Sequence, residues 1–112
     1  MTFDPNNLVV KLCVQGMDRE AKGQPEEGSS LFLEAWNEAT TDFEKFIAAH
    51  FMARHRANVS DKLSWIETAL KFALKTNDEA VKAAFPSLYT SLAKCYEDLN
   101  DPDNAKTLAQ TP

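Results

Sequence analysis

Glycine is scarce in this sequence, with only three residues among 112, and a turn-rich β architecture is therefore disfavoured. Cysteine is scarce too, since Cys13 and Cys95 are the two in the sequence. Two cysteines are too few for a disulfide framework, and their positions lack metal-ligand spacing. We therefore expect two buried, reduced thiols and a cytoplasmic protein. No apolar run approaches the roughly 18 residues that span a bilayer. Residues 1–5 lack the basic and apolar regions of a signal peptide, so we expect neither a leader nor a membrane segment.

Positive charge is also in short supply. The chain has 12 basic and 17 acidic residues and a net charge of −5. Proteins that bind nucleic acid gain most of their affinity from basic patches that neutralise phosphates. The densest basic cluster here is Arg54-His55-Arg56, which is typical of a solvated helix end. The sequence therefore predicts binding neither to nucleic acid nor to an anionic membrane surface.

Hydrophobic residues make up 44% of the chain, and they recur at helical spacing almost throughout. At roughly 150 residues per domain, this length predicts a single domain over residues 1–112. The first helix is expected from about Leu8 to Lys22. Pro25 suits the first position of the second helix, and Thr41 with Glu44 forms a capping box for the third. In total the pattern predicts about six helices joined by short loops.

The boundaries in the second half are less defined. The third helix is expected to end near residues 57–58, with Ser60 as the cap of the fourth. A break at residues 76–78 precedes a fifth helix that runs to Leu99 and contains Pro86. Proline removes one helical hydrogen bond, so either a kink or a split at that point fits the sequence. A short sixth helix is predicted after Pro102.

Several positions match when the sequence is aligned with itself at a spacing of about 34 residues. Phe32 then aligns with Ile66, and Ala35 with Ala69. Gly16 is a small residue within the first predicted helix. Near the C-terminus, residues 92–96 read Leu-Ala-Lys-Cys-Tyr and precede an Asn-Asp turn and Ala105.

In these features the chain resembles the tetratricopeptide repeat (TPR) family, with about three degenerate units over residues 8–110. The middle unit departs from the family pattern at His50 and Lys62. The resemblance implies an all-α fold in which antiparallel helix pairs form a right-handed array. Another kind of helical bundle is the alternative, since small and aromatic residues at helical spacing also occur there.

The resemblance also implies a concave groove lined by the first helix of each unit. The residues that this register places in the groove are Val10, Cys13, Met17, Ile47, Phe51, Arg54, Thr90 and Lys94. The Lys/Arg and Asn clamp by which some family members bind a C-terminal carboxylate is absent. An apolar groove with Met and Phe suits a partner peptide or amphipathic helix. The same residues could instead be core, covered by a neighbouring helix.

No arrangement of residues typical of catalysis is recognisable. His50 and His55 are five residues apart, whereas metal ligands on one helix face are about three or four apart. No nucleophile motif and no glycine-rich phosphate loop occurs. We therefore expect no catalytic residues, no metal, no cofactor and no enzymatic activity.

The leading interpretation is a non-catalytic adaptor that binds a protein or peptide in the groove. The main alternative is a structural homodimer that covers an incompletely capped C-terminal face. The residues of that face would be Leu92, Tyr96, Leu108 and Ala109. A minor alternative is a small-ligand sensor or enzyme accessory protein with Cys13 or His50 at its site.

Overall fold

The computed structural model describes residues 6–54, 58–76 and 78–99. This part of the chain is all-α, as the periodicity predicts, and it contains no strand. The helices are α1 (Leu8–Ala21), α2 (Pro25–Glu38), α3 (Asp42–Met52), α4 (Val59–Lys75), α5 (Glu79–Lys82) and α6 (Phe85–Asp98). The helix predicted after Pro102 lies outside the described residues.

Local sequence signals account for the first three helix starts. Asn7 caps α1 by accepting a hydrogen bond from the Val10 amide at 3.1 Å. Pro25 occupies the first turn of α2, as predicted. The predicted capping box at α3 is confirmed: Thr41 Oγ1 accepts from the Glu44 amide at 3.1 Å, and Glu44 Oε1 accepts from the Thr41 amide at 3.2 Å.

Glycine is required in the turn between α1 and α2. The Gly23 amide donates to the Glu20 carbonyl, and the Gln24 amide donates to the Arg19 carbonyl at 2.8 Å. This pair of bonds is the Schellman arrangement, which places the residue after the helix cap in a left-handed conformation. Gly23 has φ +78°, a value that side-chain-bearing residues adopt only with strain.

Asn58 differs from the expected role. It does not end α3 in a left-handed turn; its backbone is extended, and its side chain accepts from the Asp61 amide at 3.2 Å. Asn58 therefore caps α4, and Ser60 lies inside that helix rather than at its cap. Asparagine suits both a left-handed turn and an extended cap, so the residue type alone does not decide between them.

Pro86 splits the predicted fifth helix in two. Asp78 caps the short helix α5, where its Oδ1 accepts from the Ala80 amide at 2.8 Å. After a turn at Ala83 and Ala84, α6 begins at Phe85 with Pro86 in its first turn. A proline in the first turn needs no amide hydrogen, so this position avoids the cost that it would have inside a helix.

The helices pack mainly with their neighbours along the chain: α1 contacts α2 and α3, α2 contacts α3, α3 contacts α4, and α4 contacts α6. One cluster of buried residues from all six helices forms the core. Two glycines allow the close approach of α1 and α2. A Cβ on Gly16 would lie 2.3 Å from Phe32 Cε1, and one on Gly28 would lie 2.8 Å from the Gly16 carbonyl oxygen.

Candidate functional site

A largely apolar cavity of about 310 Å³ lies between α1, α3 and a third side formed by α5 and the turn that follows it. We call it the apolar groove. Its lining residues are Val10, Cys13, Val14, Met17, Phe46, Ile47, His50, Phe51, Ala80 and Ala84. Five of the eight predicted groove residues are therefore brought together, namely Val10, Cys13, Met17, Ile47 and Phe51.

Helical spacing explains how α1 and α3 supply this lining. Val10, Cys13, Val14 and Met17 follow the three- and four-residue steps that place side chains on one helix face. The α3 residues of the lining lie in the same way on the face of α3 towards α1. From the third side, Ala80 and Ala84 offer only methyl groups, which leave space for an occupant.

The groove has a buried floor and an open rim. Cys13 is 2% exposed, and Val10 and Ile47 are nearly as buried, so these residues also belong to the interior. Val14 is 53% exposed and Met17 is 37% exposed. The predicted alternative, that the groove residues are simply core, thus describes the floor and does not describe the rim.

The Cys13 thiol is not poised for chemistry. Burial raises its pKa to about 12, so the thiol is protonated at neutral pH. The thiolate is the nucleophilic form of cysteine. Cys13 therefore contributes a small apolar surface to the floor of the groove. Cys95 is also a buried free cysteine, and its pKa is raised mainly by burial.

His50 is the polar side chain of the groove. Its ring meets the Phe51 ring edge-on, with centroids 5.4 Å apart, and lies 6.1 Å from the Phe46 ring. Burial, with the positive charge of Arg54, lowers the pKa of His50, so the neutral imidazole is favoured at neutral pH. Within the described residues no group of three or more metal-ligating side chains is found.

Arg54 lies beside the groove rather than in it. Its Nη2 forms an ion pair with Glu20 Oε1 at 3.5 Å, and its guanidinium lies 5.5 Å from the centroid of the Phe51 ring. Instead of the apolar groove, Arg54 lines a second cavity that His50 also lines. Arg54, which was predicted to line the groove, therefore lies just outside it.

Thr90 and Lys94 are not brought to the groove. The Thr90 hydroxyl donates to the Pro86 carbonyl at 2.8 Å within α6. Lys94 lines a separate cavity of about 200 Å³ between α4 and α6. The physical reason is the split before Pro86: α6 packs on α4, and the segment before it takes the third side of the groove.

The residues predicted for a dimer face are also placed differently. Leu92 is 3% exposed and belongs to the core, so it cannot contribute to an open surface. Tyr96 is half-buried, and its hydroxyl donates to Glu67 Oε1 at 3.0 Å. Leu108 and Ala109 lie outside the described residues.

Sequence reasoning missed some residues of the groove. Val14 and Phe46 lie one position from predicted residues on the same helix faces, so helical spacing could have identified them. His50 was not among the predicted groove residues, although it lies in the groove wall. Ala80 and Ala84 carry no recognisable sequence signal, because small residues before a proline occur in many helix connections.

Comparison of the chain with protein-family models, with curated proteins and with solved structures found no match. In the part of the chain that the structure describes, no helix combines the length and apolar character needed to cross a membrane. The function is therefore inferred from the geometry of the site.

Proposed function

We infer that this protein is a non-catalytic protein–protein interaction module whose apolar groove receives the apolar face of an amphipathic helix from a partner protein. The observation that carries this inference is the exposed rim formed by Val14 and Met17 above a buried floor. Exposed apolar side chains around a cleft mark interaction sites more often than isolated ones do. Methionine adapts its shape to different partners, which suits a docking surface.

The dimensions and chemistry of the groove favour a helix. A volume of about 310 Å³ accommodates a few apolar side chains rather than a whole partner domain. Helices dock into such grooves through apolar residues at intervals of about three and four positions. Apart from His50, the side chains around the groove offer almost no hydrogen-bonding groups, so a partner that satisfies its own backbone is preferred over an extended strand.

We also propose that α1–α2 and α3–α4 are units of a TPR-like right-handed array, with α6 as the first helix of a third unit. Two observations support this proposal. The helices pack in chain order, and Gly16 provides a close contact with the second helix of its own pair. A cytoplasmic location would accord with two unpaired cysteines in the described chain.

The test is a selection of helical peptides from a displayed library on the wild-type protein. We expect enriched sequences with apolar residues at helical spacing, and we expect Val14→Glu and Met17→Glu to abolish their binding. Both positions are exposed, so neither charge needs to be buried in the fold. Leu33→Glu is the matched control, because Leu33 is exposed on α2 and does not line the groove.

Enriched peptides that bind Met17→Glu as tightly as the wild type would contradict the assignment of the groove. Light scattering over a wide concentration range examines the competing occupant, a second copy of the chain. The wild type could form a dimer that Met17→Glu dissociates and Leu33→Glu leaves intact. That result would show that a second copy of the chain, and not a partner helix, occupies the groove. Binding of a small apolar molecule, seen as a thermal shift with the wild type alone, would support the sensor alternative.

A further inference from the structure

A second cavity, also of about 310 Å³, lies between α3, α4 and α6. We call it the basic cavity. Its polar lining consists of His50, Arg54, Lys62, Ser87 and Ser91, and no acidic residue lines it. This is unusual in a chain with a net charge of −5. The basic cavity shares the His50 side chain with the apolar groove, but its remaining lining is distinct.

We propose that the basic cavity binds a phosphoryl group. The cavity combines two cationic side chains, of which Arg54 is also paired with Glu20, with hydroxyl donors, and this is the chemistry that a tetrahedral, doubly charged oxyanion requires. The proposal concerns a site separate from the apolar groove and does not depend on the partner helix.

Lys62 and Arg54, the two cationic side chains of the basic cavity, differ in how freely they can bind an anion. The ammonium group of Lys62 makes no ion pair or hydrogen bond with another residue in the described ranges, so it is available to bind an anion. Arg54 shares its guanidinium with Glu20 through one nitrogen at 3.5 Å. A guanidinium has five donor hydrogens, and the remaining ones can bind a ligand in the cavity.

Hydroxyl and imidazole donors complete the lining. Ser87 and Ser91 are one helical turn apart on α6, so their hydroxyl groups lie on the same face and line the cavity together. Thr90 differs, because its hydroxyl is already bonded to the Pro86 carbonyl. Since burial and Arg54 lower the pKa of His50, its neutral ring supplies one N–H donor without adding a third charge.

The experiment is a titration of the isotopically labelled full chain with sodium phosphate, followed by amide chemical shifts at constant ionic strength. We expect saturable shifts centred on Lys62, Ser87 and Ser91. Lys62→Gln should weaken the apparent affinity about tenfold, the effect of losing one charge-assisted hydrogen bond. Lys75→Gln is the matched control, since it removes the same charge from the same helix outside the cavity, and it should leave the affinity unchanged.

Two further variants keep the test decisive. Ser91→Ala should weaken binding severalfold without changing the net charge, which separates a built site from a general charge effect. Glu20→Gln should strengthen binding, because it releases Arg54 from its ion pair.

Titration with O-phosphoserine, with serine as its control, distinguishes two sources of the phosphoryl group. Tighter binding than inorganic phosphate would indicate a phosphorylated residue, and equal binding would indicate a free phosphate ion.

Shifts that do not saturate, or an equal loss of affinity in Lys62→Gln and Lys75→Gln, would overturn the proposal. Such results would show only a diffuse attraction between lysines and an anion. Unchanged phosphate affinity in both Lys62→Gln and Ser91→Ala would also overturn the proposal. The dispersion of the amide spectrum verifies in each case that the variant is folded.

Discussion

Asn7 Nδ2 donates a hydrogen bond to Glu44 Oε2 at 2.8 Å and so joins the starts of two helices that are 37 residues apart in sequence. The other end of the Asn7 side chain caps α1, and the other carboxylate oxygen of Glu44 belongs to the capping box of α3. The starts of α1 and α3, the two helices that form most of the apolar groove, are therefore fixed beside each other by one side-chain pair.

Replacing Asn7 should cost more stability than replacing an ordinary helix cap. Asn7→Ala removes the cap of α1 and the contact with Glu44, and we expect a loss of about 1–2 kcal/mol in the free energy of unfolding. Asn58→Ala is the control, because Asn58 caps α4 through one amide. Chemical denaturation of both variants provides the comparison.

Asn7→Asp isolates the contact between the helices. Aspartate caps a helix as well as asparagine does, but it places a second carboxylate beside Glu44. A double-mutant cycle with Glu44→Gln should therefore show that Asn7→Asp destabilises the wild type by about 0.5–1.5 kcal/mol more than it destabilises Glu44→Gln. A coupling energy near zero would show that the contact does not contribute to stability.

Glu44 should make stability sensitive to acid. Burial acts to raise its pKa, but hydrogen bonds from Thr40, Thr41 and Asn7 outweigh that effect and lower the pKa from 4.5 to about 2. The folded protein thus holds this carboxylate in its charged form more strongly than the unfolded chain does. Its stabilising contribution is complete above about pH 4.5 and is lost as the pH falls towards 2.

Urea unfolding from pH 2 to pH 7 measures this contribution. The difference in midpoint between the wild type and Glu44→Gln should be largest near neutral pH and should shrink between pH 4.5 and 2. Thr40→Ala removes only one of the donors to Glu44 Oε1. The urea midpoint of this variant should therefore differ from that of the wild type by less than the midpoint of Glu44→Gln does. A difference that is the same at every pH would show that the charge of Glu44 plays no part.

The features that the sequence predicted correctly are those that depend on neighbouring residues. Pro25 and the Thr41–Glu44 capping box involve residues within one turn, so their chemistry is complete in the local sequence. The position of Pro86 was ambiguous, because a kinked helix and two separate helices satisfy the same local rules. Packing of α6 on α4 accompanies the split, and that contact is not a property of the local sequence.

The same distinction explains which groove residues were predicted. The register of the resemblance placed Cys13 and Ile47 in the groove, and they do meet there because α1 and α3 lie beside each other. Thr90 and Lys94 required the register to continue through the Pro86 region, where the chain takes a turn instead. The basic cavity was not anticipated, since Arg54 comes from the turn after α3, Lys62 from α4 and the serines from α6.

Gly16→Ala should destabilise the protein, although alanine is the better helix former. Inside a helix, alanine normally stabilises by about 0.5–1 kcal/mol relative to glycine. Here the added Cβ would lie 2.3 Å from Phe32 Cε1, and Phe32 is a fully buried residue. Overpacking of this kind costs about 1–3 kcal/mol, so the net effect should be a loss.

Phe32→Leu provides the complementary test, because a smaller side chain makes room for the new methyl group. We expect the double variant to be more stable than the sum of the two single effects predicts, by about 1 kcal/mol. Gln15→Ala, at the exposed neighbouring position in α1, should lie within about 0.5 kcal/mol of the wild type. A Gly16→Ala variant that is more stable than the wild type would contradict the close contact between α1 and α2.

Cys13 should resist modification as long as the protein is folded. Its thiol is 2% exposed and its pKa is raised to about 12 by burial, so both access and thiolate formation are suppressed. Labelling with a coloured disulfide reagent at neutral pH should therefore be slow in buffer and rapid in urea. Met17→Cys places a thiol one turn further along the same face, at the exposed rim of the groove, and should react rapidly without denaturant. Fast labelling of Cys13 in the folded wild type would reveal openings that reach the floor of the groove, and it would favour the sensor alternative over a groove that only docks a helix.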